Sequence, residues 1–256
     1  MRGRIPVIID FHAHIWGGNG QKDKENLLIA CKRYGIDKLC VSSVECVYPN
    51  EEEIRFLNEG VVRFMREQPE LIYGFVYVNP SNPDALTVLR QGIEEYGMSG
   101  MKLWIATTCD DPKVFPLIEQ CIAYNIPVML HAWKKSVGQY AHESTGVHVA
   151  ALAKQYPEAK LVMAHLGGNC YHGVRAIRDY PNVMTDFSGS IFRGDDLNYT
   201  VEQLGAERIL FGSDMPGSYL VNLGQVEEAA LTGEQKELIY YKNALRMLDR
   251  RQKGSC

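Results

Sequence analysis

The sequence predicts a single (β/α)8 barrel domain spanning residues 1–256. Three observations lead there. The chain has 256 residues, and one such barrel takes about 250. Eight short runs rich in β-branched and apolar residues alternate with longer amphipathic or polar segments from end to end, as repeated βα units around a parallel sheet require. No Pro/Gly/Ser-rich linker, low-complexity tract or long charge run divides the series, and no repeat exists beyond the architectural one.

The strand runs are residues 7–14, 38–44, 72–79, 100–104, 127–132, 161–165, 183–188 and 209–214. Several are nearly continuous apolar stretches, such as Val-Ile-Ile in the first, Leu-Val-Met in the sixth and Arg-Ile-Leu-Phe at the eighth. That is the signature of strands buried on both faces. Between the second and third runs, residues 51–67 predict a helix, with Ile54, Leu57, Val61, Phe64 and Met65 recurring at helical spacing. Such stripes mean packing. Residues 235–250 predict a closing helix with Leu238, Ile239, Tyr241, Leu245 and Leu248 as its apolar face. Pro, Gly and polar residues gather after Asn79, Trp104, Ala132, Gly168 and Pro216, where a pocket would be built.

Composition narrows the function classes. A chain 46% hydrophobic and 23% charged has the usage of a packed globular domain. The formal net charge is -4 with Lys and Arg scattered, so no nucleic acid or anionic membrane partner is expected and a small-molecule substrate is. No apolar run approaches the roughly 20 residues that span a bilayer. The first nine residues are too short for the charged and apolar regions of a signal peptide, so a cytoplasmic location is expected. The seven cysteines are an odd set without a CxxC pair, which predicts reduced thiols rather than disulfides or a thiolate zinc site.

The chemistry-bearing residues fall at strand ends. In Asp10-Phe11-His12-Ala13-His14 the two histidines alternate on a strand and project to the same side. Alone, a His-x-His is more often an exposed or hydrogen-bonded pair than a metal site. However, His131, His165 and Asp214 also end strand runs, and in a parallel barrel all these ends meet on the face where barrel active sites sit. Imidazoles and a carboxylate converging there predict a divalent metal and activated water.

These residues carry a resemblance. The segments Ile9-Asp10-Phe11-His12-Ala13-His14, Ser99-Gly100-Met101-Lys102-Leu103, Ile126-Pro127-Val128-Met129-Leu130-His131, Ala164-His165-Leu166-Gly167-Gly168, Pro181-Asn182-Val183 and Ile209-Leu210-Phe211-Gly212-Ser213-Asp214-Met215-Pro216 resemble the amidohydrolase superfamily, above all its amidohydrolase-2 branch, which includes aminocarboxymuconate-semialdehyde and resorcylate-type decarboxylases. Asn243-Ala244 resembles that branch's closing motif. The resemblance implies that His12, His14, His131 and Asp214 bind one metal, zinc first, with manganese or iron as alternatives. It makes His165 an acid, base or water-orienting group. Asp214 is read as ligand, general base or both. Lys102 lies where binuclear relatives carry a carboxylated lysine, and the branch favours an unmodified Lys102 that contacts substrate or supports the site.

Further residues are expected around the pocket. Trp16, Trp104 and Trp133 follow strand runs one, four and five, suiting the aromatic walls of small-molecule sites, although tryptophans also simply fill cores. Arg193 is expected to pair with a substrate carboxylate, against the plainer alternative of a surface ion pair. Tyr171 and His172 are expected near the mouth, Asp186 behind it as an ordering carboxylate, and His142 and His148 as loop and helix-surface residues. The leading expectation is a metal-dependent hydrolase of a small lactone, amide or ester. Its rivals are a metal-dependent decarboxylase of an aromatic or unsaturated acid, against which the shorter chain speaks, and a barrel that binds without turnover. A homodimer is a further expectation.

Overall fold

The computed structural model describes residues 7–18, 20–189 and 193–250. Eight strands, β1 (Ile9–Trp16), β2 (Lys38–Val44), β3 (Ile72–Tyr77), β4 (Gly100–Leu103), β5 (Pro127–Leu130), β6 (Lys160–Met163), β7 (Val183–Asp186) and β8 (Ile209–Leu210), pair in parallel in sequence order. The ring closes where Phe11 N donates to Phe211 O at 2.8 Å and Asp214 N to His12 O at 2.6 Å. This is the predicted (β/α)8 barrel. Among the described residues no helix is long and apolar enough to cross a membrane, and the six described cysteines are free.

Helices α1 (Gln21–Tyr34), α2 (Glu51–Glu67), α3 (Ala85–Glu94), α4 (Phe115–Tyr124), α5 (Gly146–Gln155), α6 (Cys170–Ile177), α7 (Asp196–Leu204) and α8 (Tyr219–Glu228) fill the crossovers. Helix α2 has the predicted bounds because Asn50 and Glu53 form a capping box at its start, which satisfies two otherwise orphaned N–H groups. The closing segment differs from expectation. It runs as α9 (Gly233–Glu237), a π turn (Leu238–Lys242) and α10 (Asn243–Leu248). The wide turn inserts a residue and rotates the buried face, so Ala244 and Met247 are buried while Leu245 is 50% exposed. Asn243 becomes a core residue, its Nδ2 donating to the carbonyls of Ala206 at 2.8 Å and Ile209 at 2.7 Å, which fixes the start of β8.

Two cores result. The larger one packs the helices against the outside of the barrel. The smaller plugs its interior with Ile9, Phe11, Cys40, Phe75, Met129, Val162, Met184 and Leu210. Strand β4 supplies no apolar plug to this layer. Its Lys102, in register with Met129, lies inside and is 1% exposed.

Candidate metal centre

Strand β1 carries one extra residue relative to β2, since Asp10 faces Leu39 but Ala13 faces Val41. Such a bulge re-aims side chains. Here it lets Phe11 plug the barrel while His12 and His14 both turn to the ring of strand ends above it. His12 Nδ1 is bonded to Asp186 Oδ2 at 3.0 Å, and His14 Nδ1 to Ser42 O at 3.2 Å and Ser42 Oγ at 3.0 Å. The Nδ1 atoms being engaged by acceptors, each Nε2 keeps its lone pair. These two Nε2 atoms face one another at 3.0 Å, with Asp214 Oδ1 at 3.7 and 3.5 Å.

Two imidazole nitrogens and a carboxylate oxygen thus converge at the spacing taken by ligands about 2.1 Å from one ion, which sit roughly 3 Å or more apart. The donor set therefore fits a divalent metal. Burial, then the charge of Lys102, holds His12 and His14 well below the ordinary imidazole range, so both are neutral, as ligation requires. Asp214 is pushed up to about 6 by burial, against the pull of Lys102.

The sequence placed Asp214 and His165 at the ends of strands. Both stand beyond them, because β8 stops at Leu210 and β6 at Met163. Left-handed turns deliver them instead, with φ of 65° at Asp214 and 62° at His165. Backbone of that kind is unfavourable for residues other than glycine and gathers at functional sites. Asp186 braces the second turn: its Oδ1 accepts from His165 N at 3.1 Å, Ser188 N at 3.0 Å and Ser188 Oγ at 2.5 Å. His165, Asp186 and His12 form a second group of ligand atoms within 4.8 Å, beside that of His12, His14 and Asp214.

His131 is not in either group. It stands one residue past β5, its ring 5.2 Å from that of His165, with Nε2 engaged by Glu143 Oε1 at 3.1 Å. Lys102 Nζ reaches His12 Nε2 at 2.9 Å; burial drives its amine down to about 8, opposed by Asp214 and Asp186.

Two aromatic walls rise from the site. On one side Trp104 meets Trp16 at 5.9 Å and Trp16 meets His14 at 6.0 Å. On the other Trp133 stacks parallel to His131 and sets its edge against His165. Arg193 is exposed, just before α7, where its charge acts on Asp196 and Cys170. Tyr171 packs on Tyr199 at 4.6 Å, and His172 Nδ1 is buried without a hydrogen-bond partner among the described residues. His148 caps α5 through Thr145, and His142 packs against Tyr48.

Sequence reasoning missed two carboxylates. Asp10 accepts from His12 N, Ser213 N, Ser213 Oγ and Tyr219 Oη, clasping the β1 bulge to the turn that carries Asp214. The adjacent histidines in the motif were its only signal. Glu143, 4% exposed, lies in the connection from β5 to α5 and gave none.

A family model for amidohydrolases matches residues 9–250. The chain belongs to the amidohydrolase family. It is similar to a Dictyostelium discoideum protein described as 2-amino-3-carboxymuconate-6-semialdehyde decarboxylase, 22% identical over 200 residues, covering 63% of this chain and 56% of the relative. The match thus spans little more than half of that relative's length. Among solved structures, the fold is similar to a 2,6-dihydroxybenzoate decarboxylase from Rhizobium, with a TM-score of 0.78, 17% identity and coverage of 95% of this chain and 99% of that one. It is also similar to a dihydroxybenzoic acid decarboxylase from Polaromonas with bound manganese, with a TM-score of 0.76, 18% identity and coverage of 95% and 97%. These findings overturn the hydrolase expectation: the curated relative and both solved structures named above are described as decarboxylases. Spacing could not reveal this, since both chemistries use the same strand-end ligands and differ in what the loops admit.

Proposed function

We propose that the chain is a metal-dependent non-oxidative decarboxylase of a small aromatic or unsaturated carboxylic acid. The observation that carries this reading is the agreement between the site and its named relatives. A donor set of neutral histidines and Asp214 stands beside a fully buried lysine, in a chain whose curated relative is described as a decarboxylase. We take His12, His14, His131 and Asp214 as the ligands. A bound divalent ion supplies a Lewis-acid anchor for substrate oxygens. Manganese is the first candidate because a similar structure holds it, and zinc or iron suits the same donors.

The protein's own residues handle carboxylate and proton. Loss of carbon dioxide breaks the bond between the carboxyl carbon and its neighbour and leaves the electron pair on that neighbour, where one proton must arrive. Asp214 is the carboxylate we assign to relay that proton. Lys102 supplies positive charge deep in the site, where a substrate carboxylate gains most from it. His165, braced through its backbone by Asp186, faces the same space and orients the reacting group. Trp16, Trp104 and Trp133 flank a planar substrate and exclude water, and Arg193 stays a candidate contact for a second substrate anion.

The test incubates the manganese-loaded protein with hydroxybenzoic and unsaturated dicarboxylic acids in deuterated, oxygen-18 water. Released carbon dioxide with one deuterium at the vacated carbon is expected. Oxygen-18 in the product without carbon dioxide would end the reading.

A further inference from the structure

His131 is held from two directions. Trp133 lies parallel to its ring, at an interplanar angle of 8°, and Glu143 Oε1 engages its Nε2 at 3.1 Å. The other carboxylate oxygen of Glu143 is engaged as well: Lys135 Nζ stands 2.7 Å from Oε2 and Gln139 Nε2 donates to it at 2.9 Å. Gln139 in turn donates to Trp133 O at 2.9 Å and accepts from Lys135 N at 2.9 Å. Trp133 N donates to Ser144 O and Lys134 N to Gly167 O, each at 2.8 Å. The connection from β5 to α5 is thus folded around one buried carboxylate, and that carboxylate touches the site at a single point, His131. Lys135 pairs with Oε2 while His131 meets Oε1, so the lysine balances the charge of the buried carboxylate.

An ionised carboxylate only accepts hydrogen bonds, so it selects the His131 tautomer with hydrogen on Nε2 and leaves the lone pair on Nδ1. We propose that Glu143 is a positioning residue of the metal centre, fixing the tautomer and ring orientation of His131 so that Nδ1 is the nitrogen offered to the ion. His12 has the matching arrangement at its own Nδ1 through Asp186. Carboxylates set behind ligating histidines in this way typically govern metal affinity by 10–100-fold. The inference rests on the ligand assignment above and not on the reaction, so a failed decarboxylation assay leaves it standing.

The test uses the full chain, stripped of metal and titrated with Mn(II), with free ion read by its paramagnetic resonance signal. Glu143→Ala is expected to weaken binding about 10–100-fold. Glu143→Gln keeps a carbonyl oxygen for His131 but turns an NH2 group on Lys135 and Gln139, so it is expected to bind more weakly than the parent and clearly more tightly than Glu143→Ala. In a His131→Ala background, Glu143→Ala adds nothing, because it acts through that ring. Parental affinity in Glu143→Ala overturns the proposal. So does a Glu143→Gln variant as weak as Glu143→Ala, or a double variant clearly weaker than His131→Ala. Should Glu143→Ala not fold, Glu143→Asp, which withdraws the carboxylate by one methylene from His131, carries the same comparison.

Discussion

Lys102 Nζ lies 2.9 Å from His12 Nε2, the nitrogen that also faces His14 Nε2 at 3.0 Å. A buried amine and a metal-facing lone pair thus share one point in the barrel. An ammonium group and a divalent ion compete for that nitrogen, and like charges about 4 Å apart repel by several kcal/mol at an effective dielectric near 20. Lys102→Met is therefore expected to bind Mn(II) at least about 10-fold more tightly. Because the proposed reaction relies on the same charge to hold the substrate carboxylate, kcat/KM is expected to fall at least about 100-fold. Titration and steady-state rates check the two effects separately. A Lys102→Met protein with undiminished turnover removes the lysine from the reaction.

Asp186 bridges two site residues rather than meeting substrate. Its carboxylate is fully buried and accepts from the His165 and Ser188 amides and the Ser188 hydroxyl while engaging His12 Nδ1. Asp186→Asn puts a donor where these contacts need an acceptor. The expected outcome is Mn(II) affinity lower by about 10–100-fold and folding stability lower by about 1–3 kcal/mol. Ion titration and urea unfolding measure them. Unchanged Mn(II) affinity would mean that His12 needs no brace.

What could be read beforehand follows from periodicity. Alternation along a strand put His12 and His14 on one side, and the parallel barrel brought Asp214 to them. Lys102 was legible as a strand-four residue, though not its contact with His12. Three features lay outside any periodic signal. The β1 bulge between Asp10 and Ala13 changes phase without a Gly or Pro to mark it. The left-handed turns at His165 and Asp214 carry no glycine at the turning residue to mark them, so a strand running to its last polar residue was the natural expectation. Glu143 meets His131 across a connection of no regular structure, where spacing carries no information about contact. Reaction type was illegible for another reason, since one ligand set serves both hydrolysis and decarboxylation.

The buried histidines also set how the metal-stripped chain responds to acid. His12, His14 and His165 are held well below the ordinary imidazole value of 6.5, burial first, with neighbouring positive groups adding to it. Unfolding frees them to bind protons near 6.5, so below that pH the unfolded chain holds more protons at these positions and stability is lost as pH falls. Asp10 and Asp214 act oppositely. Burial raises both from 3.8 to about 6, so the folded chain holds their protons more firmly between those values and gains stability there. His131 is lowered as well, burial first, so four imidazoles against two carboxylates leave a net loss, and each unbalanced proton amounts to about 1.4 kcal/mol per pH unit. The metal-stripped chain is therefore expected to unfold at lower urea at pH 5.5 than at pH 7.5. Saturating Mn(II), which binds only deprotonated ligands, stabilises the folded state most at the higher pH. A midpoint that stays level or rises on acidification would show that these imidazoles already carry protons in the folded chain.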